Sequence, residues 1–245
     1  MLDRPFVLAD DGRLVFDPSA HRYMSCDVLV PSVSQVLRGV GMVDATWYRE
    51  EHSRRGTDVH AIRASSLRSA LDPSTVSGCY AGYVQAIELF DRVHRPEALL
   101  IEQAVHIPKH VAGTVDFYGR LNGQPLWVLL DWKTGAFQWW HEAQTAGYMK
   151  ILRAMGLTVH RRGSVHLDPR GTFDLKWHTS AAGQQDWDSA HYIIERRLTH
   201  HGRDERESLC GSRDDVLSSS RDAAGDTVPT FESSDPFPTD PRNPF

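Results

Sequence analysis

The sequence predicts a mixed α/β domain of the α+β kind: a mixed central β-sheet flanked by helices, with a β-hairpin region of short strands at the N-terminus. Three observations predict it. Midway along the chain the apolar period changes from helical spacing to strand-like runs, giving three consecutive segments at 99–107, 111–121 and 126–133. The last two are separated by Asn122-Gly123, the dipeptide best suited to a tight hairpin. The run Leu126-Trp127-Val128-Leu129-Leu130 is apolar on both faces, so its strand is covered on both sides.

The other elements follow in order. Short strands at Val7-Leu8, Leu14-Val15-Phe16, Tyr23-Met24 and Val28-Leu29-Val30 alternate with Asp-Gly and Pro-Ser turn signals. Ser32 and Gln35 have capping-box spacing, and Val33, Val36 and Leu37 form the apolar face of the short helix they start. A second helical stretch covers 44–71 and is expected to break near Gly56. A third covers 77–94, with Tyr80, Tyr83, Val84 and Ile87 at helical spacing, and stops before Pro96. After the three strands come a helix at 141–155, strands at 164–167 and 172–178, and a last helix at 184–198.

Residues 1–200 are read as one domain and 201–245 as a disordered acidic, Pro-rich tail. Of 13 prolines in the chain, 5 lie in that tail, which has few large apolar residues to offset the entropy of ordering. The tail also carries 5 Arg, no Lys and 10 acidic residues, so it accounts for the whole net charge of -5. The domain itself is balanced, which excludes a diffusely basic nucleic-acid binder and leaves polyanion binding to local patches. No apolar run reaches the ~18 residues of a membrane span. The first ten residues lack a signal-peptide core, and the expected compartment is the cytoplasm. The three cysteines, Cys26, Cys79 and Cys210, are too few and too scattered for a disulfide framework or a four-cysteine iron–sulfur cluster.

The hairpin carries the chemistry. A two-residue turn at Asn122-Gly123 pairs Leu121 with Gln124, and so sets Asp116 opposite Leu129 and Thr114 opposite Asp131. Because the side-chain period is two, Asp116, Asp131 and Lys133 then project from one face, the two aspartates about 7–8 Å apart on the diagonal. If 108–110 is a three-residue connection, Ile107 pairs with Val111 and Glu102 falls opposite Asp116. Three carboxylates and a lysine at one place on a buried sheet repel and are costly to desolvate unless a cation joins them. Oxygen donors with an open coordination shell suit Mg²⁺ or Mn²⁺. Lys133 is then a fixed positive group beside the ion.

These residues resemble a known family. Gly113-Thr114-Val115-Asp116, then Asp131-Trp132-Lys133-Thr134-Gly135, then Gln144 and Tyr148, are similar to the PD-(D/E)XK nuclease superfamily in its RecB-type exonuclease branch. The resemblance implies a restriction-endonuclease-like core, with Asp116 and Asp131 on the metal, Lys133 catalytic, and Gln144 and Tyr148 supporting the site or the DNA. It also implies an upstream histidine ligand, which His60 matches within Arg55-Gly56-Thr57-Asp58-Val59-His60. His21-Arg22-Tyr23 and Val30-Pro31-Ser32-Val33-Ser34 resemble phage-encoded and mitochondrial genome-maintenance relatives of that branch.

The expected function is that of a Mg²⁺- or Mn²⁺-dependent deoxyribonuclease, an exonuclease of DNA replication, recombination or repair. Glu102, Asp116 and Asp131, the backbone carbonyl of Trp132 and His60 hold the ion, and Lys133 assists the attack of water. Arg55 and Arg63, with Arg49, Arg54, Arg68, Arg161, Arg162, Arg196 and Arg197, are candidates to line a phosphate groove. Trp139 and Trp140, with Trp47 and Tyr48, are candidates to stack on bases. The expected partner is DNA, single-stranded or at duplex ends, with no membrane. The acidic tail, ending in Pro244-Phe245, resembles the tips of single-strand-binding proteins, which dock on partner enzymes, and a recombination or single-strand-binding protein is a further candidate partner; Arg242 departs from that acidic pattern, and a plain linker is the favoured reading of the tail. Two other functions suit the same residues: a DNA-end-binding module of this fold that does not cut, and a structure-specific endonuclease.

Overall fold

A computed structural model describes residues 13–17, 22–43 and 50–210. The expected strand at Val7-Leu8, the residues His21, Trp47, Tyr48 and Arg49, and the tail beyond Cys210 lie outside the described residues.

Three short strands, β1 (Leu14–Asp17), β2 (Arg22–Ser25) and β3 (Val28–Val30), form an antiparallel sheet in that order. The β2–β3 turn is Cys26-Asp27 with both φ angles positive, 50° and 63°, the geometry that suits a two-residue hairpin. Helix α1 (Val33–Gly39) starts with the expected capping box: Gln35 N–H donates to Ser32 Oγ at 3.2 Å, and Ser32 N–H donates to Gln35 Oε1 at 2.7 Å.

Helix α2 (Glu50–Leu67) runs through Gly56 without the expected break. Glycine weakens a helix by only about 1 kcal/mol, and here the buried side chains of Val59, Arg63 and Ala64 hold the helix in place. Helix α3 (Ala81–His94) follows a 3-10 turn at Gly78–Tyr80 and ends on Arg95 at φ 41°.

The main sheet has the order β4 (Pro96–Ile107), β5 (Val111–Leu121), β6 (Val128–Lys133), β7 (Arg161–Asp168), β8 (Thr172–Trp177). Neighbours are antiparallel except β6 and β7, which are parallel and joined across helix α4 (His141–Ala154). β4 is an edge strand, where Pro96 as first residue costs no ladder hydrogen bond.

The sheet is covered on both faces, as the apolar run at 126–130 implies. Leu100, Val105, Tyr118 and Leu129 pack under α1, α4 and helix α5 (Ala181–Cys210). Phe117, Leu130, Trp132 and Val165 pack under α2 and α3.

Two registers decide where the site falls. Between β4 and β5, Ile107 pairs with Val111, Gln103 with Val115 and Ile101 with Phe117, so Glu102 is level with Asp116 as the sequence implies. Between β5 and β6 the register differs from expectation. Asn122-Gly123 does turn the chain, with Gln124 N–H donating to Leu121 O at 3.0 Å. Residues 124–127 then leave the sheet, and Trp127 lies on Tyr118 with its N–H given to His160. The ladder is therefore Phe117↔Leu130, Tyr118↔Leu129 and Gly119↔Val128, two residues further along β6 than a tight hairpin gives. A slip of two preserves every face. It brings Asp116 level with Asp131 instead of diagonal to it.

Helix α5 also differs from expectation. It runs past the expected end at 198 and the expected domain boundary at 200 to a kink at non-helical Gly202, and a second helical segment continues from there to Cys210. The added turns are anchored: Arg206 donates to Leu29 O at 3.1 Å, and Cys210 is buried beside Met24 and Leu29.

Candidate metal centre

The β5–β6 ladder stops at Phe117↔Leu130, and past that point the backbone of Trp132 is bonded by side chains. Asp116 Oδ2 accepts its N–H at 2.8 Å, and His60 Nε2 donates to its carbonyl at 2.9 Å. The site is built around this exchange.

His60, on α2, faces two carboxylates with its other ring nitrogen. Nδ1 is 3.1 Å from Glu102 Oε1 and 3.5 Å from Asp116 Oδ2. One donor atom from each of His60, Glu102 and Asp116 lies within 4.8 Å of the other two, a spacing that fits a single metal ion. Asp58, two residues before His60, turns elsewhere and accepts from Tyr80 O–H.

The electrostatics follow from burial. Burial opposes a charge on His60, but Asp116, Glu102 and Asp131 outweigh it and raise the ring to about 10. A carbonyl can only accept, so Nε2 carries a hydrogen, and facing two carboxylates Nδ1 carries one as well. Burial pushes the Asp116 carboxyl well above its ordinary value; His60 and Lys133 oppose the rise, and Asp131 and Glu102 add to it. A cation at this point relieves the desolvated negative charge, so the donor set suits a divalent ion.

Asp131 and Lys133 form the second half. Lys133 Nζ is 2.6 Å from Asp131 Oδ2 and donates to Gln144 Oε1 on α4 at 2.9 Å. Gln144 Nε2 reaches Ser34 Oγ at 3.5 Å. Tyr148, one turn further along α4, is buried; burial, Asp131 and Asp116 hold its phenol protonated. Its ring explains Gly113, because a Cβ there would lie 2.6 Å from Tyr148 Cε1.

Glu102 holds a costly backbone angle. Its φ is 45°, in the left-handed region, within a strand whose register is regular on both sides. A non-glycine residue there costs of the order of 1–3 kcal/mol. Nothing in the sequence marks this twist.

The expected nucleic-acid contacts divide. Trp139 is 56% exposed on the 134–140 loop beside Lys133, and its neighbour Trp140 is only 8% exposed, with Lys133 Nζ 5.7 Å from its ring centroid. Trp140 is thus a wall of the site and cannot stack on a base.

Arg63 is corrected outright as a DNA contact. It is 0% exposed, bound to Asp91 at 2.7 Å, and its guanidinium lies 4.5 Å from the centroid of the Trp132 ring. Arg55 is half-buried on α2, with its Nε sealed from solvent. Arg162 is buried, Arg68 donates to Ile101 O, Arg161 lies on Trp177 and Arg197 donates to Gly39 O. Arg63 and Arg162 are thus sealed into the fold, whereas Arg68, Arg161 and Arg196 keep exposed positions. Of the expected arginines, Arg54 on α2 stands well out in solvent, 77% exposed.

Sequence reasoning missed several groups around the site. Tyr23 O–H and Thr114 Oγ1 share a hydrogen bond at 2.8 Å, and Ser34 touches Gln144. On β7, Ser164 and His166 lie level with Asp131 and Lys133 in the parallel ladder. Their period-two spacing was the available signal.

No family model and no curated protein matches the chain. Among solved structures, the protein described as "Putative exonuclease" from Eubacterium rectale is 13% identical, with 94% of this chain and 96% of that chain covered and a TM-score of 0.46. The protein SSO0001 is 13% identical, with 66% of this chain and 84% of that chain covered and a TM-score of 0.29. No helix among the described residues is long and apolar enough to cross a membrane.

Proposed function

We propose that this chain is a divalent-metal-dependent nuclease of the PD-(D/E)XK type that hydrolyses phosphodiester bonds in DNA. One observation carries the reading: His60, Glu102 and Asp116, from three separate elements, converge beside the Trp132 carbonyl, next to an ammonium held by Asp131 and Gln144. A structural ion pair needs no such gathering. The exonuclease mode, and a role in replication, recombination or repair, rest on the sequence resemblance.

His60, Glu102, Asp116 and Asp131, with the Trp132 carbonyl, would hold Mg²⁺ or Mn²⁺. When bound, the ion supplies Lewis acidity to a phosphoryl oxygen and lowers the pKa of water. Lys133 is fixed from two sides, so its positive charge is aimed before substrate arrives and costs no reorganisation when negative charge develops on the phosphoryl group. Gln144 and Asp131 set that aim. Trp140 and Tyr148 help to shield the ammonium and the two aspartates from bulk water. Trp139, outside the wall, offers a face to an unpaired base.

The test is digestion of end-labelled linear DNA and covalently closed circular DNA, with Mg²⁺ and with EDTA. The expected result is Mg²⁺-dependent loss of the linear substrate only, with Lys133→Ala slower by about 10²–10³-fold. Cutting of the closed circle would replace the exonuclease with an endonuclease. Retention of ends without cleavage would replace it with a binding module.

A further inference from the structure

Behind Lys133 a line of side chains runs through the α4 side of the sheet. His166 Nδ1 lies 2.8 Å from Gly135 O. His166 Nε2 is 3.1 Å from Ser164 Oγ, which is 3.2 Å from His178 Nε2. His178 Nδ1 is 2.7 Å from Thr145 Oγ1, and Arg162 Nη1 donates to that same oxygen at 2.9 Å. Ser164 and Thr145 are 0% exposed, and Arg162 and His178 are buried.

Thr145 Oγ1 also lies 3.2 Å from the carbonyls of His141 and Glu142, so it is the Gly135 end, with both rings neutral, that sets the direction of the bonds. A guanidinium only donates and a carbonyl only accepts. Arg162 N–H donates to Thr145, Thr145 O–H to His178 Nδ1, and His178 Nε2–H to Ser164. Ser164 O–H then donates to His166 Nε2, and His166 Nδ1–H to Gly135 O. In that order both rings are neutral and each hydroxyl gives one hydrogen and accepts at least one. The reverse order leaves His166 needing a hydrogen on both nitrogens, a charged ring level with Lys133 in the ladder. Burial and Arg162 hold His178 down to about 4, in keeping with a neutral ring.

The ends of the line also matter. Gly135 is two residues past Lys133, and Thr145 is one residue past Gln144. The line therefore ties the two ends of the connection whose side chains meet as Lys133 Nζ and Gln144 Oε1. We propose that Arg162, Thr145, His178, Ser164 and His166 form a one-directional hydrogen-bond chain that positions Lys133 against Gln144. His166 is its terminal positioning residue. The catalytic consequence rests on the nuclease reading; the chain itself does not.

The experiment is side-chain ¹H–¹⁵N NMR of the full chain at neutral pH, with kinetics on two variants. The wild type is expected to show His166 hydrogen-bearing at Nδ1, His178 at Nε2, and a resolved Lys133 ammonium signal. His166→Asn keeps a donor where Nδ1 stood; His166→Gln puts its amide where Nε2 stood and loses the bond to Gly135. The Lys133 signal should stay in His166→Asn and shift in His166→Gln. DNA cleavage should follow it, with kcat within about three-fold in the first and about ten-fold lower in the second. KM should be unchanged in both, because the chain does not touch Trp139. A charged or Nε2-bearing His166, or two variants with the same Lys133 signal, would overturn the proposal. The tautomers and the ammonium signal need no substrate, so a protein that shows them without cutting DNA loses the nuclease reading and keeps this one.

Discussion

His60 is bonded to the main chain of Trp132: Nε2 donates to the carbonyl at 2.9 Å, while Nδ1 faces Glu102 and Asp116. The imidazolium occupies the place where the ligand set would put a cation. A divalent ion therefore competes with a proton. Binding of Mn²⁺, followed by calorimetry in buffers of different ionisation enthalpy, should release protons at pH 7 and tighten as pH rises. His60→Ala should weaken binding and reduce the proton release. Binding with no proton release in the wild type would show that His60 is not a ligand.

Stability in the presence of a chelator should fall as pH rises. His60 gains its carboxylate partners only in the fold, and its pKa there, about 10, lies above the ordinary 6.5. Its proton stabilises the fold fully below pH 6.5, and that contribution is lost as pH rises through about 10. Burial raises the Asp116 carboxyl too, so its contribution also falls as pH climbs. Thermal unfolding in EDTA should show a midpoint that drops between pH 6.5 and 10, and Mg²⁺ should flatten the drop. A midpoint that climbs over that interval would contradict the charge arrangement described here.

Trp139 and Trp140 should separate in mutagenesis. Base stacking is worth about 1–3 kcal/mol, so Trp139→Ala should raise KM for single-stranded DNA by roughly 5- to 150-fold while kcat stays put. Trp140→Ala should act on kcat and stability, because the ring walls Lys133 from solvent. Equal effects of the two on KM would remove Trp139 from the DNA path.

Arg63→Ala should cost stability. It removes the partner of Asp91 and the cation over Trp132. Breaking a buried pair costs about 3–5 kcal/mol, reduced here to about 2–4 because the Asp91 side chain is 33% exposed. Urea unfolding measures this directly, and the affinity of the folded fraction for DNA should be unaltered.

What the sequence made legible was parity. The tight hairpin implied by Asn122-Gly123 misplaces β6 by two residues, yet Asp116, Asp131 and Lys133 still share a face, because a slip of two preserves sides. The β4–β5 register was legible because a three-residue connection leaves no room for slip near Ile107 and Val111. The twist at Glu102 was not, since it depends on contacts made across the sheet. Arg63 was misread for a related reason: a guanidinium on a helix looks the same in sequence whether it stays exposed, as Arg54 does, or is sealed against an aspartate under an aromatic ring, as Arg63 is. Helix α5 overran its expected end because burial of Cys210 beside β2 and β3 outweighs the polar composition of the last turns.

The N–H of Trp132 ends on a carboxylate where a neighbouring strand would normally supply the acceptor. Asp116 is thus part of the architecture as well as of the proposed metal site. Truncation to alanine would strand that donor in the interior, at about 1–3 kcal/mol, and an inactive protein could simply be a loosened one. Asparagine keeps an oxygen for the same donor and deletes only the charge. In dissecting this centre, amide replacement at that position distinguishes a lost reaction from a lost scaffold, and alanine replacement does not.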